Sequence, residues 1–250
     1  MIAAILAGGS VDAPLASALG HSLKALGRLG GSTLLERAIA AARGSGAARV
    51  VVIGDEPVRA ACAHLVEEVV PTAGDGSANL ARALAFAGDA PLAIFSSDLP
   101  FITAESAARF FDAARASGAE IALPLTTAQR YGDVYPGAPP HITTVGGERV
   151  ANGSVFYFAR AAGPKLLVLA QSLFEARKSL TRMALLLGPQ LALKYATRSL
   201  RIDDIERRAR ARFGVDARAV RDCAPDLCFD IDDLADYTYA LRLIGERDRS

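Results

Sequence analysis

The sequence predicts an α/β fold in which a mostly parallel sheet is covered by helices on both faces. Short apolar runs alternate with helical patterns through the first half of the chain, as in doubly wound sheets. The 250 residues are 51% hydrophobic and 22% charged, which allows one large core. The first apolar run stops at Gly8-Gly9, a position at which open α/β sheets bind ligands. We therefore expect one domain spanning residues 1–250.

The elements of the first half follow from apolar runs and helix-capping signals. The pattern T-x-x-E at Thr33–Glu36 predicts a capping box, and Thr103 is placed to cap a later helix. Glycines after Ala42 end the first of these helices. Helices are predicted over 33–42, 56–65, 77–86 and 103–116, and strands over IAAIL (2–6), ARVVVIG (48–54), EEVVP (67–71), PLAIFSSD (91–98) and AEIALPL (119–125).

The pattern changes after Leu125, and this change predicts an elaborated C-terminal third. Residues 126–153 are rich in Gly, Pro and Thr, which predicts loops, short strands and an antiparallel excursion. The remaining predictions are a strand over SVFYFAR (154–160), a helix over 164–187, a strand over QLALKYAT (190–197), a helix over 202–213, and a strand, turn and helix over CFDIDDLADYTYALRL (228–243).

Charge and composition exclude several classes of protein. Lys and Arg number 28 against 27 Asp and Glu, so a protein that coats nucleic acid is not expected. The chain contains no uncharged apolar run of about 18 residues, so no membrane span is expected. Its three cysteines show no paired spacing, which is typical of a reducing compartment. We expect a cytoplasmic protein.

The segment after the first strand contains two adjacent glycines, which have no side chain, and a single lysine. Gly8 and Gly9 would let backbone N–H groups approach a phosphate, and Lys24 could compensate its charge. A tight turn would need glycine equally, so both interpretations stay open at this point. The Walker pattern G-x-x-x-x-G-K-[ST] and the dinucleotide pattern G-x-G-x-x-G are absent here. A Walker-type ATPase or a dehydrogenase is therefore disfavoured.

Several motifs in the same order resemble one known family. They are ILAGG, the Lys24-Ala-Leu tripeptide, LGGSTLLERAI, SSDLPFIT at 96–103, VANGSVFYF, and the closing CFDIDDLADYTYAL. This set is similar to nucleotidyltransferases with the GT-A fold, which include sugar-1-phosphate nucleotidyltransferases and MobA-like enzymes. The resemblance implies a Rossmann-like α/β fold. It also implies Mg²⁺-dependent transfer of an NMP from an NTP to a phosphorylated small molecule, with release of pyrophosphate.

The resemblance assigns catalysis to Lys24 and Asp98, and a metal ion, Mg²⁺ or Mn²⁺, to Asp98 and Asp230. Asp98 follows an apolar strand, so its carboxylate would emerge at the end of the sheet, although it could also merely fix the turn. Asp230 lies in FDIDD, at the end of a predicted short strand, and a structural role remains open. Asp232 or Asp233 is placed to cap the last helix.

Two further sets of residues are expected to contact substrates. The nucleotide is expected to contact Leu6, Ala7, Gly8, Gly9, Lys24, Gly76, Ser77 and Asn79, although Ser77 is also a good N-cap. The acceptor is expected to contact Asn152, Gly153, Arg177 and Lys178. Asn-Gly is also a common turn dipeptide, and the Arg-Lys pair could equally lie on a solvated helix surface. The family often carries an Arg soon after the glycines, whereas this chain has only His21 before Lys24.

The acceptor remains open between a sugar 1-phosphate and a molybdopterin-type cofactor. Two alternative functions also remain. A GT-A glycosyltransferase that uses a nucleotide sugar would share the fold, but it would carry D-x-D, whereas SSDLP supplies one aspartate. A non-catalytic nucleotide-binding protein would explain the missing Arg. The expected partners are an NTP and a phosphorylated small molecule, with no nucleic acid and no membrane, and a homodimer is compatible with the sequence.

Overall fold

The computed structural model describes residues 1–139, 141–160, 165, 167–169 and 188–247. The strands are β1 Ile2–Leu6, β2 Arg28–Leu29, β3 Ser32–Thr33, β4 Arg49–Ile53, β5 Glu68–Val70, β6 Leu92–Ser96, β7 Ile121–Thr127, β8 Thr143–Val145, β9 Glu148–Asn152, β10 Val155–Phe158 and β11 Ala217–Val220. The α-helices are α1 Ala13–Leu19, α2 Leu34–Gly44, α3 Glu56–Cys62, α4 Gly76–Ala87, α5 Ala104–Ala116, α6 Ala128–Val134, α7 Pro189–Ala196, α8 Ile202–Phe213 and α9 Leu234–Arg247.

The central sheet has the strand order β5-β4-β1-β6-β10-β7, with β9 and β8 continuing beyond the end of β7. Strands β5, β4, β1 and β6 run parallel, β10 runs antiparallel between β6 and β7, and β11 pairs with β7 in parallel. Leu6 is in register with Ile53 and Ser96, so these strands end at one edge, which we call the carboxyl edge. The predicted α/β class, with its mostly parallel sheet, is confirmed.

Both faces of the sheet are buried, which explains the uninterrupted apolar runs. On one face Ile5, Val52 and Phe95 belong to a core cluster that also contains side chains of α2, α5 and α9. On the other face, Ala4 and Val51 lie in a second cluster with side chains of α4. Among the described residues, no helix has both the length and the apolar character needed to cross a lipid bilayer.

The predicted capping signals are confirmed where they lie next to the sheet. Thr33 and Glu36 form the expected capping box at the start of α2, and Thr103 accepts a hydrogen bond from the backbone N–H of Ser106. The start of α4 differs from the prediction. Its N-cap is Asp75, which accepts from Ala78 N, whereas Ser77 was expected. An aspartate preceding a Gly-Ser pair is as good a cap as Ser, so the local pattern was ambiguous.

Two helices occupy segments that the sequence analysis assigned otherwise. Helix α1 lies in the segment expected to be a polar loop; Asp12 caps its start and Gly20 its end. Leu15 and Leu19, spaced one helical turn apart, reach the core and stabilise α1. Helix α6 likewise lies in the segment expected to hold only loops and strands.

Two strand predictions in the C-terminal third were wrong. QLALKYAT forms α7, because Pro189 starts the helix and the apparent alternation leaves Leu193 and Tyr195 exposed. Residues 228–232, all of which are described, form no strand. Phe229 and Ile231 are fully buried there, and Ile231 N donates to Asp98 O, but the segment pairs with no strand; β11 is the C-terminal strand that pairs with β7. The predicted helices at 202–213 and at the end of the chain are confirmed as α8 and α9.

Candidate active site

The glycine turn continues β1 at the carboxyl edge. Ala7 N still donates to Ile53 O at 2.9 Å, so the parallel ladder extends one residue past the strand. A Cβ atom at Gly8 would lie 2.7 Å from Cγ2 of Thr72, and one at Gly9 would have nothing within 4 Å. The backbone is therefore packed on one side at Gly8 and open at Gly9.

Helix α1 explains how a distant lysine returns to this turn. The chain leaves the turn and comes back alongside it, with hydrogen bonds from Val11 N to Ser22 O at 3.0 Å and from Lys24 N to Gly9 O at 3.0 Å. Helix α1 forms the connection between these two stretches of backbone. Backbone hydrogen bonds therefore hold Lys24 beside the glycines, independently of the contacts of its side chain.

The side chain of Lys24 joins two aspartates. Its Nζ lies 3.0 Å from Oδ2 of Asp98 and 3.2 Å from Oδ1 of Asp232, and 16% of the lysine side chain is exposed. Burial alone would lower the pKa of Lys24, but Asp98 and Asp232 outweigh it and raise that pKa. Ser96 Oγ donates to Oδ1 of Asp98. Both oxygens of Asp98 are therefore occupied, and the ammonium stays charged.

These groups line one open cleft of about 610 Å³, which we call the nucleotide cleft because the sequence analysis expects the nucleotide there. Lys24 is the only cation among the described residues that line it. Ala7 is fully buried below the turn, and Ser77 does not line the cleft, because its Oγ donates to Asp75. Asn79 uses its Oδ1 to accept from Ala73 N at 2.7 Å. The lining residues are Leu6, Gly8, Gly9, Ser10, Lys24, Gly74, Asp75, Gly76, Asn79, Ser96, Ser97 and Asp98.

Asp230 lies next to this cleft and is tied to it through the backbone. Ile231 N donates to the carbonyl oxygen of Asp98 at 3.0 Å, which holds the two aspartate segments together. Ser154 Oγ donates to Oδ2 of Asp230 at 3.0 Å. Burial, with the charges of Asp98 and Asp232 in addition, raises the pKa of Asp230 to about 6. Negative charge is thus concentrated here beyond what the fold itself neutralises.

His141 completes the surroundings of Asp230. Its Nδ1 lies 3.4 Å from Oδ1 of Asp230, and its Nε2 lies 2.9 Å from Oδ1 of the buried Asp236. The hydrogen bond with Asp236 raises the pKa of His141. The other oxygen of Asp236 accepts from the backbone N–H groups of Asp232 and Asp233. The segment that carries Asp230 is thereby fixed in place.

His141, Asp230 and Asp232 form a group that we call the carboxylate cluster. One ligand atom from each residue lies within 4.8 Å of the others. Two carboxylates and an imidazole form a donor set suited to a divalent ion, since carboxylate oxygens bind Mg²⁺ and Mn²⁺ and imidazole tolerates the latter. The expected ligand Asp98 is joined to this cluster by Lys24, which contacts both Asp98 and Asp232.

Asn152 and Gly153, which were expected to bind the acceptor, do not line the nucleotide cleft. Asn152 is exposed at the end of β9, and Gly153 N donates to Pro124 O at 2.8 Å. A Cβ at Gly153 would lie 2.5 Å from Leu227 O, so this glycine is needed for close packing. Arg177 and Lys178 lie outside the described residues.

The sequence analysis missed the two residues that contact the carboxylate of Asp230, Ser154 and His141. Ser154 follows the Asn-Gly pair that was singled out, so the signal was one residue away. His141 lies in a Pro-rich loop, with no spacing pattern that links it to partners more than 80 residues later. Only the folded structure brings such groups together.

The fold and the sequence both have known relatives. The structure is similar to a hypothetical transferase from Thermus thermophilus, with a TM-score of 0.82 and 24% identity over 94% of this chain and 98% of that one. It is also similar to CMP:2-keto-3-deoxy-manno-octonic acid synthetase complexed with CTP, with a TM-score of 0.60 and 13% identity over 99% and 98% of the two chains.

A third similar structure is that of Rv0371C from Mycobacterium tuberculosis H37Rv in complex with manganese. Its TM-score is 0.53, and its identity is 18% over 96% of this chain and 97% of that one. No curated protein matches the sequence. The model of the MobA-like NTP transferase domain matches residues 3–192, which is most of the chain. The chain therefore belongs to the family of MobA-like NTP transferase domains and is a nucleotidyltransferase.

Proposed function

We propose that the chain acts as a single domain, residues 1–250, that transfers an NMP from an NTP to a phosphorylated small molecule with the help of Mg²⁺ or Mn²⁺. In this reaction an oxygen of the acceptor phosphate bonds to the α-phosphorus, the bond from that phosphorus to its bridging oxygen breaks, and pyrophosphate leaves. The observation that carries the proposal is the convergence of Gly8, Gly9, Lys24 and Asp98 on one cleft at the carboxyl edge.

The nucleotide's phosphates are assigned to the glycine turn. The open backbone at Gly9 offers an approach for an anion, and Lys24 supplies its positive charge within the same cleft. Lys24 Nζ also contacts Asp98 and Asp232, so phosphates would compete with these carboxylates for the ammonium. Positioning and charge neutralisation are the main contributions a protein makes to this chemistry.

Asp98 and Asp230 are the proposed metal-holding residues, with Asp232 close by. The concentration of carboxylates around a single lysine and a single histidine supports this assignment. A bound divalent ion would neutralise charge on the phosphates and on the leaving pyrophosphate. Ser154 and His141 would keep the carboxylate of Asp230 oriented, since each contacts one of its oxygens.

The base is assigned to the start of α4. Gly76 and Asn79 line the cleft, and the Oδ1 atom of Asn79 is already used by Ala73 N. The amide nitrogen of Asn79, which has no hydrogen-bond partner among the described residues, would then donate to an acceptor on the base. This contact needs a carbonyl oxygen or a ring nitrogen on the base, and adenine, guanine, cytosine and uracil each carry one, so it does not select among the four NTPs.

The test is a thermal-shift measurement with each of the four NTPs, with and without Mg²⁺ or Mn²⁺. We expect one NTP to stabilise the protein only in the presence of metal, and Lys24→Met to remove that effect. Lys165→Met is the matched control, because Lys165 is a surface lysine that contacts Glu120 and Gly214. Pyrophosphate release with sugar 1-phosphates and molybdopterin then tests the acceptor. Stabilisation by a nucleotide sugar but by no NTP would contradict the proposal.

A further inference from the structure

A second cleft, of about 550 Å³, lies at the carboxyl edge beyond the end of β7. We call it the β7 cleft. Its walls come from the end of β7, from α6, from the loop on either side of His141, and from the start of β9. The lining residues are Thr127, Ala128, Gln129, Tyr131, Gly132, Tyr135, Gly137, Ala138, Ile142, Gly147 and Arg149.

The β7 cleft adjoins the carboxylate cluster through His141. Ala138 and Ile142, on either side of His141 in the chain, both line the cleft. The centre of the His141 ring is 6.4 Å from that of Tyr131, and its Nδ1 is 3.4 Å from Asp230. A molecule in the β7 cleft would therefore lie on the side of Asp230 that is remote from the glycine turn.

Two polar side chains that line this cleft lack partners. Arg149 and Gln129 are exposed, and their side chains make no hydrogen bond or ion pair with any described residue, whereas the adjacent Glu148 is paired with Arg221. The hydroxyl of Tyr131 is fully buried, so Tyr131 contributes only its ring to the cleft. A ligand in the cleft would therefore meet one guanidinium and one amide that bond to no other described side chain.

The rest of the lining indicates what kind of molecule fits. The rings of Tyr131 and Tyr135 contact each other at 5.3 Å, and with Ile142 they form an apolar wall. Arg149 is the only charged residue among those that line the cleft. A guanidinium group that is free to form two parallel hydrogen bonds suits a carboxylate or a phosphate.

We propose that the β7 cleft binds the acceptor, and that it selects acceptors with a second anionic group, a carboxylate or a phosphate, which Arg149 and Gln129 bind. The compact body of such an acceptor packs on the tyrosine wall, and its nucleophilic phosphate points past His141 toward Asp98 and the nucleotide cleft. This inference rests on the proposed function, because it assumes that the neighbouring cleft holds an NTP.

The test uses three sugars that differ at one carbon. Glucose 1-phosphate has no second anion, glucuronic acid 1-phosphate adds a carboxylate, and glucose 1,6-bisphosphate adds a phosphate. Calorimetry on the full chain with Mg²⁺ is expected to show at least tenfold tighter binding of one or both bis-anionic sugars. Which of the two binds more tightly distinguishes carboxylate from phosphate recognition.

Single substitutions distinguish sugar binding in the β7 cleft from NTP binding in the nucleotide cleft. Arg149→Gln should weaken binding of the preferred bis-anionic sugar about tenfold and leave glucose 1-phosphate and NTP binding within twofold. Arg160→Gln, which removes only a surface ion pair with Asp89, should change none of these affinities.

Equal binding of the three sugars, or an unchanged affinity in Arg149→Gln, would overturn the inference while leaving the proposed function intact. Lys24→Met distinguishes the two failures. It should abolish NTP binding and keep the preference for the bis-anionic sugar. If that preference also disappears, the sugar binds in the nucleotide cleft and the inference is wrong. If the wild-type chain binds no NTP, the proposed function itself has failed.

Discussion

The buried carboxylate of Asp204 and the part-buried carboxylate of Asp230 lie in different regions and have pKa values shifted in opposite directions. Asp204, in α8, accepts hydrogen bonds from Lys194, Arg207 and the backbone N–H of Arg201, and these bonds lower its pKa to about 2. Asp230, at the carboxyl edge, is desolvated near Asp98 and Asp232, and its pKa rises to about 6. One region neutralises its carboxylate within the fold, and the other does not.

This difference indicates which carboxylate supports the fold and which serves a ligand. Charge around Asp204 is balanced by side chains of α7 and α8, so nothing further is needed there. Asp230 is held by a neutral hydroxyl and by a histidine that is already bonded to Asp236. An unbalanced, part-buried carboxylate lowers stability, and such groups concentrate at functional sites. The following predictions test this comparison.

The largest effect is expected from Asp98→Asn. This change removes a proposed metal ligand and the main partner of Lys24, while keeping the shape of the side chain. Pyrophosphate release is expected to fall about 10³-fold, as when a preorganised electrostatic contact is removed from an active site. Asp89→Asn, which removes only one exposed ion pair, is the matched control and should keep full activity. Activity within tenfold of wild type would place the metal elsewhere.

Asp230→Asn is expected to stabilise the metal-free protein. The pKa of Asp230 is about 6, above its ordinary value of 3.8, so the ionised form is penalised in the folded state. The contribution of the protonated Asp230 to stability is therefore fully present below pH 4 and is lost as the pH rises through 6. In EDTA at pH 7.5 the variant should gain about 2 kcal/mol in free energy of unfolding, since one pKa unit corresponds to about 1.4 kcal/mol and Asp230 is 24% exposed.

Two comparisons check the cause of this gain. Denaturation near pH 2.5 should show no difference between wild type and Asp230→Asn, because the carboxylate is then protonated in both the folded and the unfolded state. Mn²⁺ should raise the melting temperature of the wild type and not that of the variant. A gain that persists near pH 2.5 would mean that packing, rather than charge, explains it.

A third prediction concerns the glycine turn, where a second substitution should restore the NTP affinity that the first one removes. Gly8→Ala places Cβ 2.7 Å from Cγ2 of Thr72, so the turn must shift, and we expect NTP affinity to fall about tenfold. Thr72→Ser removes that methyl group and keeps the hydroxyl that donates to Asp55. The double variant should recover most of the affinity. Without recovery, the loss does not come from this contact.

Gly9→Ala separates the fold from the ligand at the same turn. Its Cβ would meet nothing within 4 Å, so the free protein should fold with unchanged stability. Any loss of NTP affinity then reports that the nucleotide itself approaches this backbone. Unchanged affinity would indicate that the phosphates bind away from Gly9.

The meeting of the glycine turn and Asp98 at one edge of the sheet was largely predictable because strand ends position them. Gly8, Gly9 and Asp98 directly follow apolar strands, and parallel strands end at a common edge. Lys24 was singled out as the first cation after the glycines, and the family resemblance then assigned it to the phosphates. The helix that returns it to the turn was missed, although Asp12, Pro14 and Gly20 are ordinary helix-boundary residues.

The other side of the site could not be predicted from local patterns. His141 meets Asp230 and Asp236 across more than 80 residues, and an antiparallel excursion, not a strand end, brings it there. Arg149 is exposed on β9, where a cation without a partner among the described residues looks like any surface residue until its cleft is known. Such long-range contacts leave no periodicity in the sequence.

The smallest effect is expected from Asp204→Asn, the counterpart of the second prediction. Asparagine can still accept from Arg201 N, so the main loss is the attraction of Lys194 and Arg207, whose side chains are largely exposed. Because the pKa of Asp204 is lowered in the folded state, its contribution is present above pH 4 and lost as pH falls toward 2. The melting temperature should fall at pH 7 and match wild type near pH 2. At neutral pH, Asp204→Asn should destabilise the protein and Asp230→Asn should stabilise it. Stability changes of opposite sign would establish that only the first region neutralises its carboxylate, and changes of equal sign would refute this.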